Sequence, residues 1–179
     1  ATHHEGLEVE DLNKKYKNMT SALKQAVMRK AEWKKEAKAE KVRLKAEAKE
    51  DEPRPRAFII DFKGDLKASA VPSLREEVSA VLEVANPDDQ VVVRLENHGG
   101  VVHEHGLAAS QLVRIRDREI PLVVVVDKVA ASGGYLMACV ANRILAAPFA
   151  ILGSIGVLAQ IPNFNRMLDN HSVDFEQIT

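Results

Sequence analysis

Apolar and polar positions divide the chain into two regimes. In the first, apolar residues recur at Leu12, Tyr16, Met19, Leu23 and Ala26, with Val27 beside the last. Steps alternating between four and three keep these side chains on one helical face and approach a heptad seam. Past Met28 the stripe thins to Ala31, Trp33 and Ala37, then to a Lys/Glu/Ala mixture. Residues 7–50 contain no proline or glycine. The pattern therefore predicts a long charged helix across residues 1–50, serving as a solvated stalk or a weak coiled coil. Pro53 and Pro55 then interrupt it. Proline ends a helix and drives its predecessor to extended backbone, which makes 51–56 a linker and the domain boundary.

From residue 57 the period changes. Apolar runs at 57–62, 90–95 and 121–126 read as strands, with shorter ones at 143–147 and 150–152. Between them lie amphipathic stretches at 72–85, with Leu74, Val78, Val81 and Leu82 on one face, and at 106–116, with Leu107, Leu112 and Ile115. A third helix, rich in small residues, is expected at 132–142. Apolar strands alternating with helices predict an α/β domain over 57–179, a parallel sheet with covering helices.

Composition narrows the function classes. The formal net charge is −1, which offers nucleic acid no basic surface. The single cysteine, Cys139, lies in an apolar run and reads as a small core residue. No run of 18 apolar residues is present, so nothing in the sequence is long enough to span a bilayer. The first residues carry no initiator Met and no signal-peptide pattern. The chain is expected to be a piece of a longer protein.

In open parallel sheets, chemistry collects where strands end at their carboxyl side. Three such ends are loaded here: Asn97-His98-Gly99-Gly100, the stretch from Asp127 to Gly134 around Ser132, and Gly153-Ser154-Ile155-Gly156. Ser132 opens a helix, where serine is a favoured cap. Its neighbours Ala130, Ala131, Gly133 and Gly134 clear space around the hydroxyl and let a substrate backbone approach. The Gly133 N–H could then stabilise an oxyanion, and Gly99-Gly100 could supply a second backbone donor. His98, His103 and His105 cluster in sequence, but their spacing fits a metal poorly and no Cys or carboxylate pair completes a ligand set.

Ala131-Ser132-Gly133-Gly134-Tyr135, the upstream Gly-Gly loop, Gly153-Ser154-Ile155-Gly156-Val157 and Pro162-Asn163-Phe164-Asn165 together resemble the signal peptide peptidase A family, and within it the SohB-like branch. The resemblance runs from Arg56 to Thr179, and more loosely over the charged helix. It implies a ClpP/crotonase-like fold and a Ser–Lys dyad. By motif match Ser132 is the nucleophile, Gly133 and Gly100 form the oxyanion hole, and Ser154 positions the lysine base. It further implies peptide substrates, a homo-oligomer, no cofactor, and a transmembrane anchor outside this segment that holds the catalytic domain in the periplasm. No lysine follows Ser132 in the 179 residues. The base is expected beyond Thr179, and these residues alone are expected to be inactive. Asn97-His98 stands where the family usually has Ser-Pro. Two other readings remain open: a crotonase-like acyl-CoA enzyme using the same oxyanion hole with a carboxylate base, and a non-catalytic scaffold that docks through its long helix.

Overall fold

The computed structural model describes residues 2–4, 7–47 and 54–158, with 163 and 166. At the N-terminus, β1 (Thr2–His4) and β2 (Leu7–Val9) form an antiparallel pair. Asp11 caps the helix that follows, its carboxylate accepting the Lys14 N–H at 2.9 Å. The charged segment is helical but divided into α1 (Leu12–Val27) and α2 (Lys30–Glu47). The expected single helix is therefore corrected to two. Met28 takes an extended backbone, φ −88° and ψ 154°, although no residue there is a helix breaker. Lys24 forms an ion pair with Glu36. Twelve residues along an unbroken helix would separate the two by about 18 Å, so the pair requires the chain to turn back.

The seam read from the sequence does not mediate this helix pairing. Tyr16, Met19, Leu23 and Val27 are 54–79% exposed. Lys14, Lys17 and Ser21 on another flank of α1 instead face Trp33, Ala37 and Leu44 of α2 across a shallow cleft.

The α/β unit runs β3 (Ala57–Gly64), α3 (Val71–Val84), β4 (Gln90–Asn97), α4 (Val102–Arg116), β5 (Leu122–Val126), β6 (Val129–Ala131), α5 (Gly133–Ala138), β7 (Arg143–Ala146) and β8 (Ile151–Gly153). Every strand pairing in this sheet is parallel. β4 is the centre. One edge pairs with β3 along its full length, from Ala57↔Gln90 to Gly64↔Asn97. The other edge pairs first with β5 over residues 91–94, then at Asn97 with Ala130 of β6. β7 flanks β5 and β8 flanks β6. The sheet thus forks after Val126, and the fork carries β6 and β8 to the carboxyl end of β4.

One sheet face is dry. Ile60, Phe62, Val91, Val93, Leu95, Leu122 and Val124 pack against Val71, Leu74 and Val78 of α3, Ala108, Leu112 and Ile115 of α4, and Met137 of α5. Each such side chain removed from water contributes about 1.5–3 kcal/mol before entropy is charged against it. The opposite face carries the ion pairs Arg94–Asp61 and Lys128–Glu96 around an open depression. Among the described residues, helices cover one face rather than both.

Two sequence expectations change locally. The helix read at 132–142 is one and a half turns long, ending at Ala138, and a strand that the apolar pattern does not predict, β6, precedes it. Cys139 is exposed rather than buried. It caps the end of α5, where the next turns are tight 3₁₀-like steps from Met137 and Ala138, and the inward positions are taken by Met137 and Ala138.

Candidate active site

Ser132 alone makes the turn between β6 and α5. Its backbone sits at φ 50° and ψ −118°, a region that costs a residue with a Cβ about 1–3 kcal/mol. The surroundings enforce it. The Ser132 N–H donates to the Gly153 carbonyl at 2.8 Å, and the Ser132 carbonyl accepts from Leu136 N–H at 3.0 Å. The side chain makes no capping hydrogen bond to α5, so the helix-cap explanation of this serine fails. Instead the hydroxyl stands on a strained strand-to-helix turn, the geometry that presents a nucleophilic serine.

The glycine loop after β4 lies directly against this turn. Gly99 has φ +86°, and a methyl group there would sit 2.6 Å from Ser132 Cβ and 2.8 Å from both the Ala131 carbonyl oxygen and the Gly133 nitrogen. Only glycine allows the two loops to touch. Gly100 is held from the other side, where a methyl would meet the Leu66 carbonyl at 2.1 Å. Among the described residues, neither the Gly100 nor the Gly133 N–H donates a hydrogen bond within the chain. Two backbone donors are therefore open beside one serine.

β8 delivers the third loop. Gly153 pairs with Ala131, and Ser154 follows at φ 53° with its side chain exposed. The fold thus gathers Ser132, Gly133, Gly100 and Ser154 at one end of the sheet. Of the Pro162–Asn165 motif, only Asn163 falls within the described residues.

A sequence model described as "Peptidase family S49 N-terminal" matches residues 1–112, and one described as "Peptidase family S49" matches 114–179. The chain belongs to peptidase family S49. The two matches meet inside α4, so their junction is not a structural boundary. Among S49 relatives, the chain is 47% identical over 185 residues to a probable protease SohB of Haemophilus influenzae, covering 97% of this chain and 52% of that protein. It is 62% identical over 119 residues to a probable protease SohB of Buchnera aphidicola from Acyrthosiphon pisum, covering 66% of this chain and 35% of that protein. The chain thus spans about half the length, or less, of these relatives. Among solved structures, it is similar to a serine-to-alanine mutant of the 1510-N membrane-bound stomatin-specific protease. There the identity is 18% and the TM-score 0.47, covering 67% of this chain and 60% of that one.

Charged residues and histidines near the three strand ends are dispersed in this S49 chain. Lys128 is largely exposed, its ammonium 3.1 and 3.2 Å from the two oxygens of Glu96. Both line the depression on the open sheet face, which Ser132 does not line. His98 and His103 are exposed, and His103 lies 3.5 Å from Glu104. His105 is wholly buried, so the three histidines do not converge. Hydrogen bonding to Cys139 pushes the Tyr135 hydroxyl above its ordinary pKa.

The sequence names Asn97 only as part of a strand end and His105 only as one of three clustered histidines, and does not show that both lie beneath the two loops. Asn97 and His105 are both fully buried and in contact. A polar residue closing an apolar strand just before Gly-Gly is the available signal for Asn97. His105 gives a weaker one, occupying a core-facing turn of α4 together with Ala108, Ala109 and Leu112.

Proposed function

We propose that the protein of which this chain is part is a serine endopeptidase with Ser132 as nucleophile, acting on membrane-derived or signal peptides. The observation that carries this reading is the strained Ser132 turn with two open backbone N–H groups beside it. In the proposed reaction, Ser132 Oγ attacks the scissile carbonyl carbon while its proton passes to a neutral lysine. The resulting oxyanion takes hydrogen bonds from Gly100 and Gly133. Collapse breaks the C–N bond as the lysine returns the proton to the departing amine, and water then hydrolyses the acyl-serine. The lysine belongs to residues outside the 179 of this sequence, with Ser154 positioning it. The resemblance to signal peptide peptidase A supports that assignment, and it also supports an inner-membrane anchor with the catalytic domain in the periplasm.

The test is Ser132→Ala in the full-length protein. The parent should be acylated by a fluorophosphonate probe and cleave peptides, and the variant should lose both. A parent protein that shows no Ser132-dependent labelling sinks the reading. Residues 1–179 alone, lacking a base, should label at least 10³-fold more slowly than the full-length chain, a rough figure for a serine without its proton acceptor.

A further inference from the structure

We infer that His105 is a positioning residue for the oxyanion hole, acting through Asn97 on the Gly99–Gly100 loop and by direct packing on Gly133. The inference rests on the peptidase reading above and names how that site is held.

Asn97 is the last residue of β4 and is enclosed by glycines. A methyl on Gly64 would lie 2.4 Å from its Cγ, and one on Gly134 would lie 2.3 Å from its carbonyl oxygen. Its side-chain oxygen accepts the Gly99 N–H at 2.8 Å. Because an amide N–H can only donate, this contact requires Oδ1, not Nδ2, to face the loop. The other end of the amide is weakly held. Among the described residues, Nδ2 reaches only the Met137 sulfur, at 3.5 Å, and sulfur is a poor acceptor. Unaided, the Asn97 amide has little to keep its oxygen turned toward Gly99.

His105 supplies the missing constraint. Its Nε2 lies 3.2 Å from Asn97 Oδ1, and its Nδ1 lies 2.9 Å from the Val101 carbonyl oxygen. Both facing atoms are acceptors and a neutral imidazole carries one N–H, so only one of the two contacts is a hydrogen bond in a given tautomer. In the tautomer protonated at Nε2, the ring donates to the oxygen that already receives Gly99, which selects the productive amide orientation. The same ring also meets the second loop. A methyl on Gly133 would fall 2.4 Å from His105 Cγ and 2.6 Å from both Cβ and Cδ2. One buried ring thus abuts the residue bearing one oxyanion donor, and through one hydrogen-bonded amide it fixes the residue preceding the other. A buried amide held at its oxygen by two donors keeps the loop in one geometry. A shift of about 1 Å in a donor can cost roughly 10²-fold in rate.

The experiment uses the full-length protein and three substitutions at His105, reading the rate of Ser132 acylation by a fluorophosphonate, peptide kcat and KM, and thermal unfolding. Glutamine can place an N–H where Nε2 lies, and asparagine can place one where Nδ1 lies. Expected results are a loss of about 10–100-fold in acylation rate and kcat for His105→Phe, with KM within about twofold. His105→Gln should recover to within about threefold of the parent, while His105→Asn should stay at least about tenfold slower than His105→Gln. A folded His105→Phe protein acylated at the parent rate overturns the inference. If that variant does not fold, the Gln and Asn variants decide, and equal rates for these two overturn it. A parent lacking Ser132-dependent labelling overturns the peptidase reading and this inference with it. A labelled parent with indifferent His105 variants overturns the inference alone.

Discussion

Ser132 carries strain that its own side chain does nothing to relieve. At φ 50° and ψ −118° a Cβ is penalised, while glycine is not. Ser132→Gly should therefore abolish probe labelling yet stabilise the fold by about 1 kcal/mol, measured by denaturant unfolding. A drop in stability would mean that the turn is not strained. Gly99 is the reverse case. With φ +86° and no room beside Ser132 Cβ, Gly99→Ala should cost about 1–3 kcal/mol. It should also slow Ser132 acylation by about 10²-fold, because the loop must retreat from the turn. A Gly99→Ala protein with the parent's stability and acylation rate would refute the close approach of the two loops.

At the scale of elements, β4 organises the molecule, and its entry is secured by an ion pair. Asp89 is almost fully buried and accepts from the Arg56 backbone N–H at 2.7 Å, from the Arg56 guanidinium at 2.7 and 3.2 Å, and from the Asn86 N–H at 3.0 Å. Arg56 also donates to the Val84 carbonyl and lies over the Phe58 ring. These contacts tie the start of β3 to the loop entering β4. The hydrogen bonds from Arg56 hold the Asp89 carboxyl well below the usual carboxylate range. A depressed folded-state pKa means that the stabilisation is full above the unfolded value, near about pH 4, and fades as the pH falls below it. Asp89→Asn should lower the melting temperature at pH 7 by several degrees and flatten the fall in stability between about pH 4 and 2. Parallel melting-temperature profiles for parent and variant across that window would count against the linkage.

For the whole molecule, among the described residues, the N-terminal helices contribute none of the buried apolar side chains of the α/β core. Deleting residues 1–50 should leave the unfolding transition of that core in place. The apolar stripe of α1, from Tyr16 to Val27, is exposed, and we propose that it assists assembly between copies of the protein. Light scattering on the full-length protein with and without residues 1–50 should show a lower mass after deletion, and an unchanged mass removes α1 from assembly. Among the described residues, no helix is long and apolar enough to cross a membrane.

Whatever depends on local periodicity and short motifs is legible in the amino-acid order. The strand and helix alternation from residue 57, the amphipathic faces of α3 and α4, and the glycines flanking Ser132 all belong here. Features that need distant partners arise only on folding. The turn-back at Met28, which brings Lys24 to Glu36, has no breaker in the sequence to mark it. β6 is three residues long and exists because β4 and β8 supply its hydrogen bonds. Asn97 and His105, eight residues apart and on different elements, become one unit only when α4 folds back across the end of β4. Ser132 stands out from its neighbours in the sequence. The packing that bends its backbone and sets two glycine loops against it exists only in the folded chain.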